Sequence, residues 1–362
     1  GMTDPLLYSA EPVFEVDGRV RGELARDLLR LDVAETTEGL KTLVARVAGS
    51  PAHPDVPELP ELYLDGSVID FGRRLTVSLG PDGGARTVFD GYVSAVEAVY
   101  AEGKEPEVVV FAEDRLMKLR TTRRMKTYEN VGDAGIAEQV GAEHGIAVDA
   151  SADGPAYDVV QQWNQSDLAF LRARAARIAA EVWIAGDTLH FRTRGSRAGT
   201  EITLVQGNQL LDVQIRADLA HQRTTVRVTG YDAEERDAID EEAGADVVQA
   251  EVTGGITGPA LLQRAFGERT SWRTRDVALT DGEAREWARA EMLRRGRGFV
   301  TAVGTTSGTA DMVVGSRLGF ERVGAPFNGG GYYVTRVHHS YDRTSGHRTR
   351  FEAERATVNE GA

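Results

Sequence analysis

The sequence contains no cysteine. A disulfide framework, a thiolate zinc site and a thiol nucleophile are therefore excluded. It also has no long apolar run, since nothing approaches the ~20 residues a membrane helix needs. Basic charge is in deficit: 42 Lys and Arg stand against 56 Asp and Glu, a formal net charge of -14. Nucleic-acid binding by sequence readout is not expected of such a chain, because neutralising phosphates takes clustered Lys and Arg. The start, Gly1-Met2-Thr3-Asp4-Pro5, has neither the basic nor the apolar region of a signal peptide. Its glycine before methionine reads as the scar of a cleaved tag.

What is present is an ordinary globular composition, 41% hydrophobic and 27% charged, over 362 residues. At roughly 150 residues per domain, that length suggests two or three domains. Glycine is frequent, 40 residues, and lies between short alternating runs, as in turn-rich β proteins. Leu75, Val77 and Leu79 alternate with Thr76 and Ser78. The turn formers Pro81-Asp82-Gly83-Gly84 lead to a second run from Thr87 to Val99, and Glu107 to Phe111 makes a third. With runs at 29–33 and 43–47, residues 10–112 read as a small barrel or sandwich.

Residues 113–197 read as an α+β unit. Asp133 is placed to cap a helix through Ile136, Ala137 and Val140. Ser166 is a good N-cap, Asp167 suits the first turn, and Leu168, Leu171, Ala175, Ile178 and Val182 form one apolar stripe, with Arg172, Arg174 and Arg177 off it. Trp163, just before the cap, is placed to staple onto the first turn. Gly186-Asp187 closes a hairpin. Strands return at 201–205, 210–215 and 224–230. Residues 231–246 hold eight acids and one arginine and read as a solvated loop. Helices are expected at 259–268 and at 281–295, where Thr280-Asp-Gly-Glu283 is a capping box. Strands resume at 299–305, 316–321, 332–341 and 347–354. The resulting organisation is residues 10–112 as one β unit, 113–197 as α+β, 200–232 with 298–356 as a second, split β unit, and 233–297 as a helical insertion.

Candidate chemistry is sparse. His338 and His339 are neighbours on a strand and point to opposite faces, while His338 and His347 are placed to approach across a hairpin without an identifiable third ligand. Ser166 lacks the Gly-x-Ser-x-Gly frame, so its capping role accounts for it. Sequence spacing does not single out a carboxylate pair for glycoside hydrolysis among the 56 acids; Glu35 with Glu38 and Glu138 with Glu143 read equally well as solvated faces. The glycines at 329–331 lead into a strand with no following Lys-Ser/Thr, so they form a turn and not a phosphate loop. No catalytic residue, metal ligand or cofactor is expected. The one electrostatic outlier is residues 115–126, with Arg115, Lys118, Arg120, Arg123, Arg124 and Lys126 and no acid. In an acidic chain it reads as a contact with an acidic subunit or partner, or as a solvated face.

The stretch Asp158-Val-Val-Gln-Gln-Trp-Asn-Gln-Ser-Asp-Leu-Ala-Phe-Leu-Arg172, followed by Ile178-Ala-Ala-Glu-Val-Trp-Ile184 and Gly186-Asp-Thr-Leu-His-Phe191, resembles the phage late control protein D family. These are hub proteins of contractile-tail baseplates, related to the T4 baseplate hub and the N-terminal part of VgrG. Phe89-Asp-Gly-Tyr-Val93, Val226-Arg-Val-Thr-Gly-Tyr-Asp232, Glu283-Ala-Arg-Glu-Trp-Ala-Arg-Ala290 and Tyr333-Val-Thr-Arg-Val-His-His339 are similar to further family stretches, in the same order, from about Pro12 to Arg355. The resemblance implies a mainly β fold with two tube-like β-barrels per chain plus peripheral α+β and helical segments. It implies a homotrimer that adapts a sixfold tail tube to a threefold spike, assembled in the bacterial cytoplasm and then carried in a virion or injection particle. The implied partners are a separate spike protein, the tube or its initiator, and other baseplate proteins. VgrG-type chains continue into a needle, whereas this sequence stops soon after Arg355, so a separate spike is expected. The acidic balance suggests net-negative inner barrel faces. A different class of function, a tail-associated cell-wall hydrolase or carbohydrate-active enzyme, would need a cleft with two close carboxylates, one of raised pKa.

Overall fold

The computed structural model describes residues 11–49, 63–80, 84–151, 154–232, 234–274 and 280–361. The tag-like start and the predicted turn at 81–83 lie outside them. The fold is mainly β. The first unit runs β1 (Val13–Val16), β2 (Arg19–Val20), α1 (Gly22–Asp27), β3 (Leu28–Thr36), β4 (Thr42–Ala48), β5 (Arg74–Leu79), β6 (Arg86–Val99) and β7 (Glu107–Glu113). Period-two patterning sends Leu31 and Val33, Leu43, Ala45 and Val47, and Leu75, Val77 and Leu79 to one buried face. They form a core with Phe14, Phe89 and Tyr63.

The α+β unit begins with a 3-10 turn, Arg115–Leu119. It continues as β8 (Arg123–Val131), α2 (Asp133–Glu143), β9 (Ala147–Ser151), β10 (Tyr157–Ser166), α3 (Asp167–Arg177), β11 (Ala180–Ala185) and β12 (Thr188–Thr193). The hairpin at Gly186-Asp187 forms as read, with Ala185 opposite Thr188. Ser166 caps α3, its hydroxyl accepting from the Ala169 N–H at 3.1 Å. Leu168, Leu171 and Ala175 are buried against Ile136, Ala137 and Val140 of α2. Asp133 does not cap α2: Gly132 holds that position without a side-chain bond, and Asp133 pairs with Arg174 at 2.6 Å. Arg174, expected off the apolar stripe, is buried. Its guanidinium also lies over the Tyr157 ring. Spacing places a side chain on a helix face, but only the tertiary partner shows that a charge is neutralised there.

The rest of the chain runs β13 (Glu201–Val205), β14 (Leu210–Ala217), β15 (Thr225–Asp232), β16 (Asp237–Gly244), α4 (Ala245–Gln249), β17 (Ile256–Thr257), α5 (Gly258–Phe266), β18 (Thr270–Thr274), α6 (Asp281–Arg297), β19 (Val300–Ser307), β20 (Arg317–Glu321), β21 (Gly329–Asp342), β22 (Gly346–Arg355) and β23 (Thr357–Val358). Thr280 caps α6 through the Glu283 N–H at 3.2 Å, but the Glu283 carboxylate turns away to Arg177. The acidic stretch 231–246 is not a loop. Its centre is β16, paired residue for residue with β15, and its end is the start of α4. Ile239 and Ala243 point inward to Val226, Val228 and the buried face of α6, Glu241 on the same side pairs with Arg285 of α6, and Asp240 and Glu242 project outward. Alternation within a highly charged segment was the signal that charge density hid. A further correction concerns β15. It sits in a separate three-stranded sheet with β16 and β18, so the strand expected at 224–230 belongs with the helical segment and not with the second β unit.

The two β regions are not separate bodies. One 13-stranded sheet runs β14-β19-β22-β21-β3-β4-β7-β6-β5-β1-β2, with β20 and β13 branching from β21. The join is β3 against β21, from Thr36 opposite Arg336 to Leu31 opposite Tyr341. Among the described residues this sheet does not close into a barrel; it ends at β2, at β14 and, on the branch, at β13.

Candidate assembly surfaces and the central ion-pair knot

The basic segment spends most of its charge within the chain. Arg115 meets Asp187 at 3.2 Å, Arg120 pairs with Glu113, and Lys118 lies over the Tyr92 ring. Arg124 reaches Glu143 at 2.6 Å and Asp167 at 2.8 Å. Lys126 pairs with the same Glu143 and covers the Tyr128 ring. Within this segment Arg123 and Lys118 are exposed without an ion pair among the described residues, and Lys118 has the Tyr92 ring beneath it. The acids that match the run come from distant segments and are invisible to a local count.

Asp167 is the centre of the α3 motif. Besides Arg124, it binds the His144 ring at 2.7 Å and accepts from Gln162 at 2.9 Å. These partners hold its carboxyl below the usual range against the opposing effect of burial. Leu168 and Leu171 are in the core, as read. Trp163 is not a staple. Asn164, at φ 45°, lies in a bulge between Gln162 and Gln165, and Trp163 is 61% exposed. With Met125 and Val159 it leaves an uncovered apolar strip on the β8–β10 ribbon.

The densest polar cluster was not predicted. Arg197, in the segment between the α+β unit and β13, is fully buried and donates to Glu35 of β3 at 3.1 Å and to Glu181 of β11 at 3.0 Å. Its guanidinium lies 4.3 Å from the centre of the Trp183 ring. The Tyr333 hydroxyl of β21 also donates to Glu181, at 2.7 Å, and Arg194 covers the Tyr333 ring while pairing with Glu354 at 2.7 Å. Three sequence-distant units thus share one ion-pair knot. Glu35, read as a solvated acid beside Glu38, is a buried member of it.

Beside the knot, burial pushes the Asp114 carboxyl up to about 6. Glu35 lies close enough to add to that shift, which is the pairing a hydrolase would require. Both carboxyls are committed, however. Asp114 accepts from the Lys41 and Leu116 N–H groups at 2.8 and 2.9 Å, and Glu35 holds Arg197. The arrangement ties a strand end to the 3-10 turn and offers no free acid to a substrate.

The histidines also rearrange. His338, expected near His347, instead meets Asp32 at 2.7 Å. His339, on the buried side of the strand, approaches His347 at 3.0 Å and the Met312 carbonyl at 2.9 Å. Burial pushes His339 down to about 3 and His347 down to about 4, so both are neutral. Among the described residues no group of three or more His, Asp or Glu is placed to hold a metal. No helix there is long and apolar enough to cross a membrane.

Two solved tail proteins share this architecture over nearly their whole lengths. The 43 kDa tail protein of prophage MuSo2 from Shewanella oneidensis is 14% identical with a TM-score of 0.68, covering 96% of this chain and 98% of its own. A tail protein from Neisseria meningitidis is 13% identical with a TM-score of 0.66, covering 96% and 97%. An Escherichia coli type VI secretion component, described as similar to the T4 tail proteins gp27 and gp5, is 13% identical with a TM-score of 0.57, covering 90% and 73%. The likeness to tail proteins expected from the motif order is therefore present as a fold. No curated protein sequence matches the chain. Residues 65–342 match the model of the Alg8 N-terminal domain, and the chain belongs to that family.

Proposed function

We propose that the protein is a structural baseplate hub of a contractile phage tail or related injection system. The observation that carries this reading is the end-to-end match to two solved tail proteins, one of them from a prophage, with no large region left over in either. In this reading three copies form a ring between a sixfold tube and a threefold spike, and the virion is where the protein works. The thirteen-stranded sheet supplies the wall. Its two β regions serve as the tube-like barrels, completed across subunits by the edges left open at β14 and β2. The units at 113–197 and about 225–297 decorate the outside and meet other baseplate proteins. The separate spike and the tube or its initiator dock at the two ends.

The solvent-facing side of this sheet is not uniformly acidic. Arg216, Arg336 and Arg350 alternate with Asp32, Asp212 and Glu352 across neighbouring strands. A lumen built from this face would carry both signs of charge.

Native mass spectrometry of the purified chain, alone and with the spike protein from the same gene neighbourhood, tests the proposal. A trimer, or a three-to-three complex, is expected. A chain that stays monomeric at high concentration and ignores the spike would refute it. Turnover of peptidoglycan by the same preparation would favour the hydrolase instead.

A further inference from the structure

A cleft of about 640 Å³ opens between residues 252–255 and 328–331 on one side and the start of β20 and end of β22 on the other. Four arginines line it: Arg194, Arg297, Arg317 and Arg355. Two are neutralised, Arg194 by Glu354 and Arg297 by Glu251, each at 2.7 Å. The other two have no carboxylate partner among the described residues. Arg317 donates to the carbonyls of Arg197, Gly315 and Arg194, at 2.6, 2.5 and 3.0 Å. Arg355, only 7% exposed, donates to the carbonyls of Thr357, Asn328, Gly330 and Pro326, at 2.8 to 3.3 Å.

Carbonyl oxygens satisfy N–H groups but do not cancel a full charge, and buried charges are usually paired. Burial pushes the Arg355 guanidinium down from its ordinary value, opposed only by the Tyr332 ring hydroxyl. The cleft therefore holds two positive charges without a carboxylate partner among the described residues, Arg317 over the Tyr333 ring and Arg355 over the Tyr332 ring, in a chain whose net charge is -14. Its floor, at Gly329, Gly330 and Gly331, is bare backbone, which lets a ligand come close.

We propose that this cleft is a binding site for an oxyanion, a single carboxylate or phosphate-type group that supplies the missing counter-charge to Arg317 and Arg355. The inference goes beyond the hub reading and does not depend on it, since an isolated chain suffices for the test.

Gly330 makes the test clean. It lines the cleft, and a Cβ built on it meets nothing within 4 Å. A Glu at 330 would bring a carboxylate into the cleft, and a Gln would bring the same bulk without charge. Thermal unfolding is followed while sodium sulfate, sodium phosphate or sodium acetate replaces sodium chloride at constant ionic strength. For the unaltered chain, a saturable rise in Tm of about 2 °C or more is expected with at least one of the three anions. Gly330→Gln keeps that rise, and Gly330→Glu starts from a higher Tm and loses most of it. Saturation by acetate assigns a carboxylate source; saturation by sulfate or phosphate alone assigns a tetrahedral anion. Equal responses in all three chains, or none beyond chloride, would overturn the proposal.

Discussion

Arg197 and Glu181 face each other at 3.0 Å with both side chains shielded from solvent, and Glu35 closes on the same guanidinium from another strand. Removing the arginine would strand two buried carboxylates. Arg197→Met should cost about 3–5 kcal/mol, because one half of a buried pair is worse than none. Combining it with Glu35→Gln and Glu181→Gln should recover part of that loss. Urea denaturation of the single and triple variants checks both. A single variant within 1 kcal/mol of the parent would mean that the knot adds little.

The histidine pair makes stability depend on acid. An unfolded histidine titrates near 6.5, whereas His339 and His347 are held to about 3 and about 4 in the fold. Their folded values are depressed, so unfolding takes up protons below 6.5. Stability is full above that value and falls as pH drops toward 4. Urea midpoints measured from pH 7.5 to 4 should decline, and His347→Gln should flatten the decline. A slope unchanged by that substitution would assign the pH dependence to other groups.

Trp163 and Leu171 belong to the same motif but should behave oppositely. Trp163→Ser on the open ribbon should leave stability within ~0.5 kcal/mol. Leu171→Ala in the core should cost about 2–5 kcal/mol. Ser166→Ala, which removes the cap, should fall between them at about 1 kcal/mol. Calorimetry on the three variants orders them.

Gly39 sits at φ 75°, where a Cβ would collide with the Val182 carbonyl oxygen and touch Leu116. It is the close approach between the first β unit and the α+β unit. Gly39→Ala combines backbone strain with that collision, so a loss of more than ~1–2 kcal/mol is expected. A neutral result would show that the two units can separate there without penalty.

Much of this architecture was legible because it is local. Alternation placed β3 to β7 and β19 to β22 to within a few residues, and hydroxyl caps placed α3 and α6. What stayed hidden depends on partners far along the chain. Arg174 and Glu35 look like surface charges until Asp133 and Arg197 arrive. β16 reads as a loop because the eight acids of the stretch 231–246 outweigh its two buried apolar residues, Ile239 and Ala243. The histidine pairing was misjudged by one position, which on a strand is the difference between faces. Two distinct barrels were expected because sequence shows runs of strands and not which edges meet.

The pairing of β3 with β21 has a consequence for how the chain is made. Thr36 waits for Arg336, a partner 300 positions later. At synthesis rates of ~5–20 residues per second, that edge of β3 stays uncovered for roughly 15 to 60 s on the ribosome. A nascent chain with so late a partner folds slowly and presents a strand edge to its neighbours meanwhile. Expression at lower temperature or with a holding chaperone should therefore raise the soluble yield more than any surface substitution.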